Sequence, residues 1–335
     1  MNVDKISKMN IPISVRFTAQ FSARFAVLVF LLMGDAPGWA TLHAAEPVIR
    51  QASATGIRHG ILLCGNTTVL INEQNEVIWE IPKASRDGYV LPNGNILFSA
   101  SNVATEMSRS GQTLWTYSLD PANKELGTAV RLENGHTLVV ERGPMPRLLE
   151  VTRHGKIAAE IPLQPETDND HMQTRMARKL PNGNYLVPHL LAFKVKEYTP
   201  SGEVVNEIRT DLPELGGREA GNWPFTAIRM ENGHTLVNLT HGNKTATFDA
   251  SGKVVWKVDN GDLEGRFADP CGGQLLPNGN VVITSYAQRD SSKVRVFEVN
   301  PQKEVVWELF HSNAYAHGIH VVSTQGRPLE NPFMK

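Results

Sequence analysis

The sequence contains only two cysteines, Cys64 and Cys271, in 335 residues. That excludes a disulfide-rich scaffold, and no Cys/His cluster has the spacing of a zinc site. There is no glycine-rich phosphate loop, no nucleophile elbow and no EF-hand loop. Charge of one sign is lacking too, with 33 Lys and Arg against 34 Asp and Glu. A broad basic face for nucleic acid is therefore not expected. The longest apolar run, "FAVLVFLLM" at 25–33, is nine residues, too short to cross a bilayer.

That run has a different use. Lys5, Lys8, Arg16 and Arg24 precede it, and small residues follow up to Ala44 and Ala45. This is the pattern of a secretory signal peptide over residues 1–45, with residues 46–335 as a single exported domain, periplasmic or extracellular. Removing residues 1–45 leaves 29 basic against 32 acidic residues, a net charge of about −3. No stable membrane span is expected after cleavage.

What the chain has in abundance is one repeated pentapeptide. "LPNGN" stands at 91–95, 180–184 and 276–280, with "LENGH" at 132–136 and "MENGH" at 230–234. Asn-Gly supplies two residues that tolerate positive φ, and so predicts a tight hairpin turn. The Asn residues, at 93, 134, 182, 232 and 278, are 41 to 50 residues apart. Strands and turns at that period are the signature of a β-propeller blade. A second set of hairpins, from "INEQNEVIWEI" to "VNPQKEVVWEL", occurs six times. Trp79, Trp115, Trp256 and Trp307 mark it, with Ala159 and Asn206 in the two middle copies. These Trp are structural.

The reading is all-β, a six-bladed β-propeller. Five residues before each Asn stand Gly88, Ala129, Ala177, Ala227 and Gly273, small enough for inner strands crowded around an axis. "HGIHVVSTQG" aligns Gly318 with Gly88. The C-terminal strand is therefore expected to close the ring against the N-terminal blade, removing an open edge. Cys64 and Cys271 fall in the first and fifth blades by this count, apart from each other, as buried thiols.

The short turns should lie on one face. The long irregular loops, 163–175, 210–225 and 258–271, should lie on the other, where a repeat scaffold carries its binding site. His and Arg outnumber Lys among the polar residues there. The blade-joining loops supply Arg86, Asp87, His171, Arg175, Trp223, Asp269, His311 and His317. The middle-strand loops supply Arg142, His189, His241 and Arg289. His171, Arg175 and His317 are the candidates for chemistry. Arg86, Arg142, His189, Trp223, His241, Asp269 and Arg289 are the candidates for ligand binding. Arg donates a planar fork to an anionic oxygen group, His moves a proton, and Trp223 offers an aryl or sugar ring a wall. His136 and His234 follow Asn-Gly turns and are structural, and His320 faces a neighbouring blade.

"LENGHTLVVERGPMPRLLEVTRHGKIAAEI" and "LPNGNVVITSYAQRDSSKVRVFEVNPQKEVVWEL" resemble the arylsulfotransferase-like propellers, a branch of the quinoprotein-like repeat superfamily. The resemblance spans roughly residues 60–322. It implies an exported six-bladed propeller that transfers a sulfuryl group from an aryl sulfate to a phenol through a transient sulfohistidine. His and Arg at the central channel would hold the sulfate, with His171 and His317 at inner-strand entry positions. A quinone-dependent dehydrogenase would need eight blades, a calcium site and a vicinal Cys pair, and the sequence offers none of them. Two readings stand: a propeller binding an anionic or glycan small molecule or an exported protein partner, and a sulfotransferase-like enzyme. Neither calls for a cofactor or a metal.

Overall fold

The computed structural model describes residues 47–329; the signal peptide expected over 1–45 lies outside the described residues. Six antiparallel sheets form the ring of a six-bladed β-propeller. Blade 2 shows the plan, running outward from the axis through Asp87–Val90, Ile96–Ser99, Val103–Met107 and Thr113–Ser118. Blades 3, 4 and 5 repeat it from inner strands Glu125–Arg131, Arg178–Lys179 and Pro224–Arg229. Blade 6 starts at Gly273–Leu275 and ends at Val305–His311. Inner and middle strands are buried almost throughout. Outer strands alternate, as sheets with one wet face do.

The repeated turn differs from the expected two-residue form. Gly94, Gly135, Gly183, Gly233 and Gly279 have φ of +82° to +88°, whereas the Asn before each is not in the left-handed region. Gly94 N donates to Leu91 O at 2.8 Å and Leu91 N to Asn95 O at 2.8 Å. The loop is thus three residues long, a turn closed by a left-handed glycine. The Asn acts through its side chain instead. Asn93 Oδ1 accepts from Asn95 N at 3.1 Å and so fixes the turn.

The residue after Asn-Gly reaches a buried glutamate on the third strand of its own blade. Asn95 donates to Glu106 at 2.8 Å, Asn184 to Glu197 at 2.8 Å and Asn280 to Glu298 at 2.6 Å, and His136 pairs with Glu150 at 3.2 Å. Each glutamate also takes a partner from the next blade: Arg131 to Glu106, Lys179 to Glu150, Arg229 to Glu197 and His59 to Glu298. Where the third strand carries Thr247 or Leu70 at this position, the next blade's inner strand carries Leu275 or Val90 where Arg131, Lys179 and Arg229 stand. Glutamate and cation come and go together, as a buried carboxylate requires.

The ring closes twice. Gly318–Thr324 pairs antiparallel with His59–Cys64 as the inner strand of blade 1, as its alignment with the repeat predicts. The repeat does not announce the second clasp. Ile49–Ala52 pairs with Val305–His311, adding a fifth strand to the outside of blade 6. Gln51 locks it, accepting from Trp307 Nε1 at 2.8 Å and His59 N at 2.8 Å, and donating to His59 O at 2.9 Å. The axis is as crowded as its small residues imply. A Cβ on Gly318 would meet Arg86 O at 2.7 Å, and one on Gly272 would meet Gly318 Cα at 2.8 Å.

That last contact corrects the placement of the cysteines. Cys271 leads into blade 6, counted with blade 1 built from both termini, so its blade and that of Cys64 are neighbours. Cys271 is a free buried thiol 3.6 Å from Thr240 Oγ1. Cys64 packs in a different cluster, with Leu62, Leu70, Trp79, Ile96 and Phe98.

Candidate functional site

The inner strands all begin on one face, and the residues at or just before their starts meet there. Arg86, Glu125, Arg175, Phe225, Cys271 and His317 come from six different blades. The long loops and the middle-strand loops arrive over the same mouth. Loop 163–175 folds a single 3-10 turn, Asp170–Met172, capped by Asn169, whose Oδ1 accepts from Met172 N at 3.2 Å. This turn carries His171. Loop 210–225 holds two more short turns, Pro213–Leu215 and Arg218–Ala220.

His317 stands at the centre of the group. Its ring lies 4.0 Å from Tyr286 and 5.3 Å from Phe225, centroid to centroid. Its backbone N donates to Cys64 O at 2.6 Å, and its buried Nδ1 has no partner among the described residues. Burial pushes its pKa down to about 3, helped by the positive charges of Arg86, Arg142, His171 and Arg289. The imidazole is therefore neutral at ordinary pH and keeps a lone pair.

One carboxylate pairs with three of these groups. Glu125, the first residue of its strand, accepts from Arg86 at 3.0 Å and from Arg142, and faces His171 Nδ1 at 3.0 Å. Burial would raise its pKa, but Arg142, Arg86 and His171 outweigh burial and hold it below the usual range. Arg142 is 0% exposed, and burial pushes its pKa down to about 10. Its Nη1 also donates to His171 O. Arg175 is 3% exposed and has no ion pair among the described residues. It donates to Thr174 O at 3.3 Å and lies 5.7 Å from the Phe225 centroid. Arg289 is exposed and also has no ion pair among the described residues. Its guanidinium lies 4.1 Å from the Tyr315 centroid and 5.1 Å from that of Tyr286.

A cavity of about 260 Å³ opens here, walled by Arg86, Tyr286, Tyr315, His317, Asn66 and Ser101. Beside it lies an apolar cluster of Met176, Leu190, Phe225 and Cys271, with Met172, Trp223 and Tyr286 against it. Trp223 stacks on His241 at 4.6 Å, nearly parallel. Gly221 allows this, since a Cβ there would meet His241 Cδ2 at 2.5 Å. His241 Nδ1 is 3.9 Å from Asp269, whose pKa burial raises against the pull of His241 and Arg289. Below the mouth the axis is polar: Asp87 accepts from Thr128, and Arg178 lies 3.2 Å from Asp87. A larger groove of about 380 Å³ lies on the opposite face, lined by Met230, Leu275, Leu276 and Pro277. It lies between blades 5 and 6, where Thr247 and Leu275 stand in place of the glutamate and its cation.

Of the residues nominated from sequence, Arg86, Arg142, His171, Arg289 and His317 converge. Arg175 joins them through Phe225, and Trp223, His241 and Asp269 form one flank. His189 belongs elsewhere. It is buried in blade 4 with Nε2 2.9 Å from Tyr198 Oη, and burial, with Lys196 nearby, pushes it down to about 3. His311 caps its own turn, its Nδ1 accepting from Ala314 N at 3.0 Å. His320 accepts from Val90 N of blade 2 at 3.0 Å, so it does face a neighbouring blade. Sequence reasoning missed Glu125, Phe225, Tyr286 and Tyr315. Glu125 is acidic and begins a strand, outside the loop His and Arg residues that the sequence singles out.

These features define a propeller with a cationic axial mouth, and comparison places it among known proteins. Residues 67–286 match the family described as Mal s 1 allergenic protein-like, and the chain belongs to that family. The likeness to arylsulfotransferases thus holds at the level of the propeller, not of that specific family. No curated protein matches the chain. Among solved structures, a protein of unknown function from Bacteroides caccae is 24% identical, with a TM-score of 0.67 over 82% of this chain and 100% of that one. A streptogramin B lyase is 14% identical, with a TM-score of 0.54 over 78% of this chain and 87% of its own. A catalytically inactive His-to-Ala variant of virginiamycin B lyase from Staphylococcus aureus, solved with quinupristin, is 14% identical, with a TM-score of 0.53 over 79% and 99%. At these identities the likeness establishes the fold alone.

Proposed function

We propose that this is an exported ligand-binding propeller whose axial mouth takes a small anionic molecule with an aromatic or other flat apolar part. One observation carries the reading: Arg86, Arg142 and His171 converge on one carboxylate, Glu125, beside the cavity that Arg86 and His317 wall. Guanidinium groups in a partly dry pocket favour sulfate, phosphate or carboxylate oxygens. Tyr286 and Tyr315 supply the wall against which a ring packs. Titration calorimetry with 4-nitrophenyl sulfate, 4-nitrophenyl phosphate and uncharged 4-nitrophenol tests it. The two anions should bind and the neutral phenol should not. Equal binding of all three, or of none, would set the reading aside.

A second reading is favoured by His317 alone. A neutral imidazole with an unpartnered nitrogen, in the cavity that Arg86 also walls, keeps a lone pair for nucleophilic attack on a sulfuryl group. In the virginiamycin B lyase propeller, too, a histidine-to-alanine change gives a catalytically inactive protein. Phenol release from an aryl sulfate, with and without a phenolic acceptor, separates the two readings. Acceptor-dependent release that His317→Ala abolishes would make this an enzyme; anion binding without release leaves it a binding protein.

A further inference from the structure

The mouth already holds an anion of its own. Both oxygens of Glu125 are engaged, Oε2 by Arg86 and Arg142 and Oε1 by His171. Two buried or half-buried arginines and the His171 ring therefore share one internal carboxylate. We propose that Glu125 is a displaceable counter-ion, which a ligand's tetrahedral oxyanion replaces at Arg86 and Arg142. This rests on the anionic-ligand reading above.

The geometry favours exchange over permanent pairing. Arg142 is fully buried and tied to His171 O, so it stays in place when the carboxylate leaves. Glu125 is a quarter exposed, so its side chain can turn toward water. Arg289, held over Tyr286 and Tyr315 at the cavity wall, has no carboxylate partner to give up among the described residues. An incoming group that takes Glu125's place meets Arg86, Arg142 and His171 together, with Arg289 over the tyrosines of the cavity wall. A carboxylate has two oxygens and would replace Glu125 like for like. A sulfate or phosphate ester presents three terminal oxygens, one more for Arg289. Glu125 thereby sets the class of anion: ligands that offer no more than a carboxylate gain little by displacing it.

The test compares the full-length protein with Glu125→Gln, which keeps the shape and removes the charge. Each is titrated with inorganic sulfate, phosphate and acetate at constant ionic strength, and melting temperature is followed in parallel. In the unaltered protein sulfate and phosphate should bind more tightly than acetate, and Glu125→Gln should bind all three at least about tenfold more tightly, since none has a carboxylate left to displace. It should melt lower without added anion and recover with sulfate, because an unpaired buried Arg142 is costly. The sulfate and phosphate arms show which ion the mouth prefers. If the unaltered protein binds sulfate and Glu125→Gln binds it no better, with no recovery of melting temperature, displacement is overturned and the anion site stands. If neither protein binds any of the anions, the anionic-ligand reading fails with it.

Discussion

A single histidine shows how far the fold alters a residue. Histidine in an unfolded chain titrates near pH 6.5, and His317 and His189 are pushed to about 3 and His311 to about 4. All three are depressed, so the unfolded chain binds more protons than the folded one between those values. Their contribution to stability is complete above about pH 6.5 and is lost as pH falls toward about 3. Melting temperature should be flat from pH 8 to 7 and fall steadily below 6.5, and His189→Gln should flatten that fall. Arg289 makes a second prediction. It is exposed and bonds mainly to the Tyr286 carbonyl, at 2.7 Å. Arg289→Ala should weaken aryl sulfate binding by about tenfold while changing stability by less than about 0.5 kcal/mol. His317 was legible because Gly318 aligns with the repeat. Glu125 was not, because nothing in a string of residues shows that one carboxylate will face two arginines and a histidine from three other segments.

At the scale of the element, the unit is the blade and its latch to the next. Burial alone would raise the pKa of Glu197. Asn184, Asn182 and Arg229 more than offset it and hold the carboxylate below its usual range. Glu106 and Glu150 are held low in the same way, by Asn95 with Arg131 and by Lys179 with Tyr185. Their stabilisation is present above the unfolded carboxylate range and lost as pH drops through the folded values, a second acid transition below that of the histidines. Glu197→Gln should cost about 1–3 kcal/mol in denaturant melts, since it leaves Arg229 without its charge partner. The converse holds between blades 5 and 6: Thr247→Glu should destabilise, because Leu275 offers no cation. The sequence showed the turns and the Trp positions through their period. The latches were hidden because each joins residues far apart in the chain, matched only when blades are stacked.

The whole molecule is a closed ring, and closure decides its cooperativity. The C-terminal clasp was legible because "HGIHVVSTQG" repeats an inner-strand pattern. The N-terminal clasp was not, because "IRQA" is four residues with no turn and no alternation to announce a strand. Gln51→Ala would break the hydrogen bonds to Trp307 and His59 that hold this strand. It should cost about 1–3 kcal/mol and lower the melting temperature of the entire domain, not of one blade. The polar axis and the cationic mouth also belong to this scale, since six blades each contribute one inner-strand start. The period of the repeat therefore announced where a site would lie. The assembled ring was needed to bring Arg86, Glu125, Arg142, His171, Arg289 and His317 within reach of one another.

The central claim is that an oxyanion binds at that point. The most direct measurement is an anomalous difference map from a crystal soaked in selenate, which matches sulfate in shape and charge. The account predicts a peak in the axial mouth, within hydrogen-bonding distance of Arg86, Arg142 or Arg289 and beside His317. Selenate found only at surface lysines, with the mouth still closed over Glu125, would contradict it.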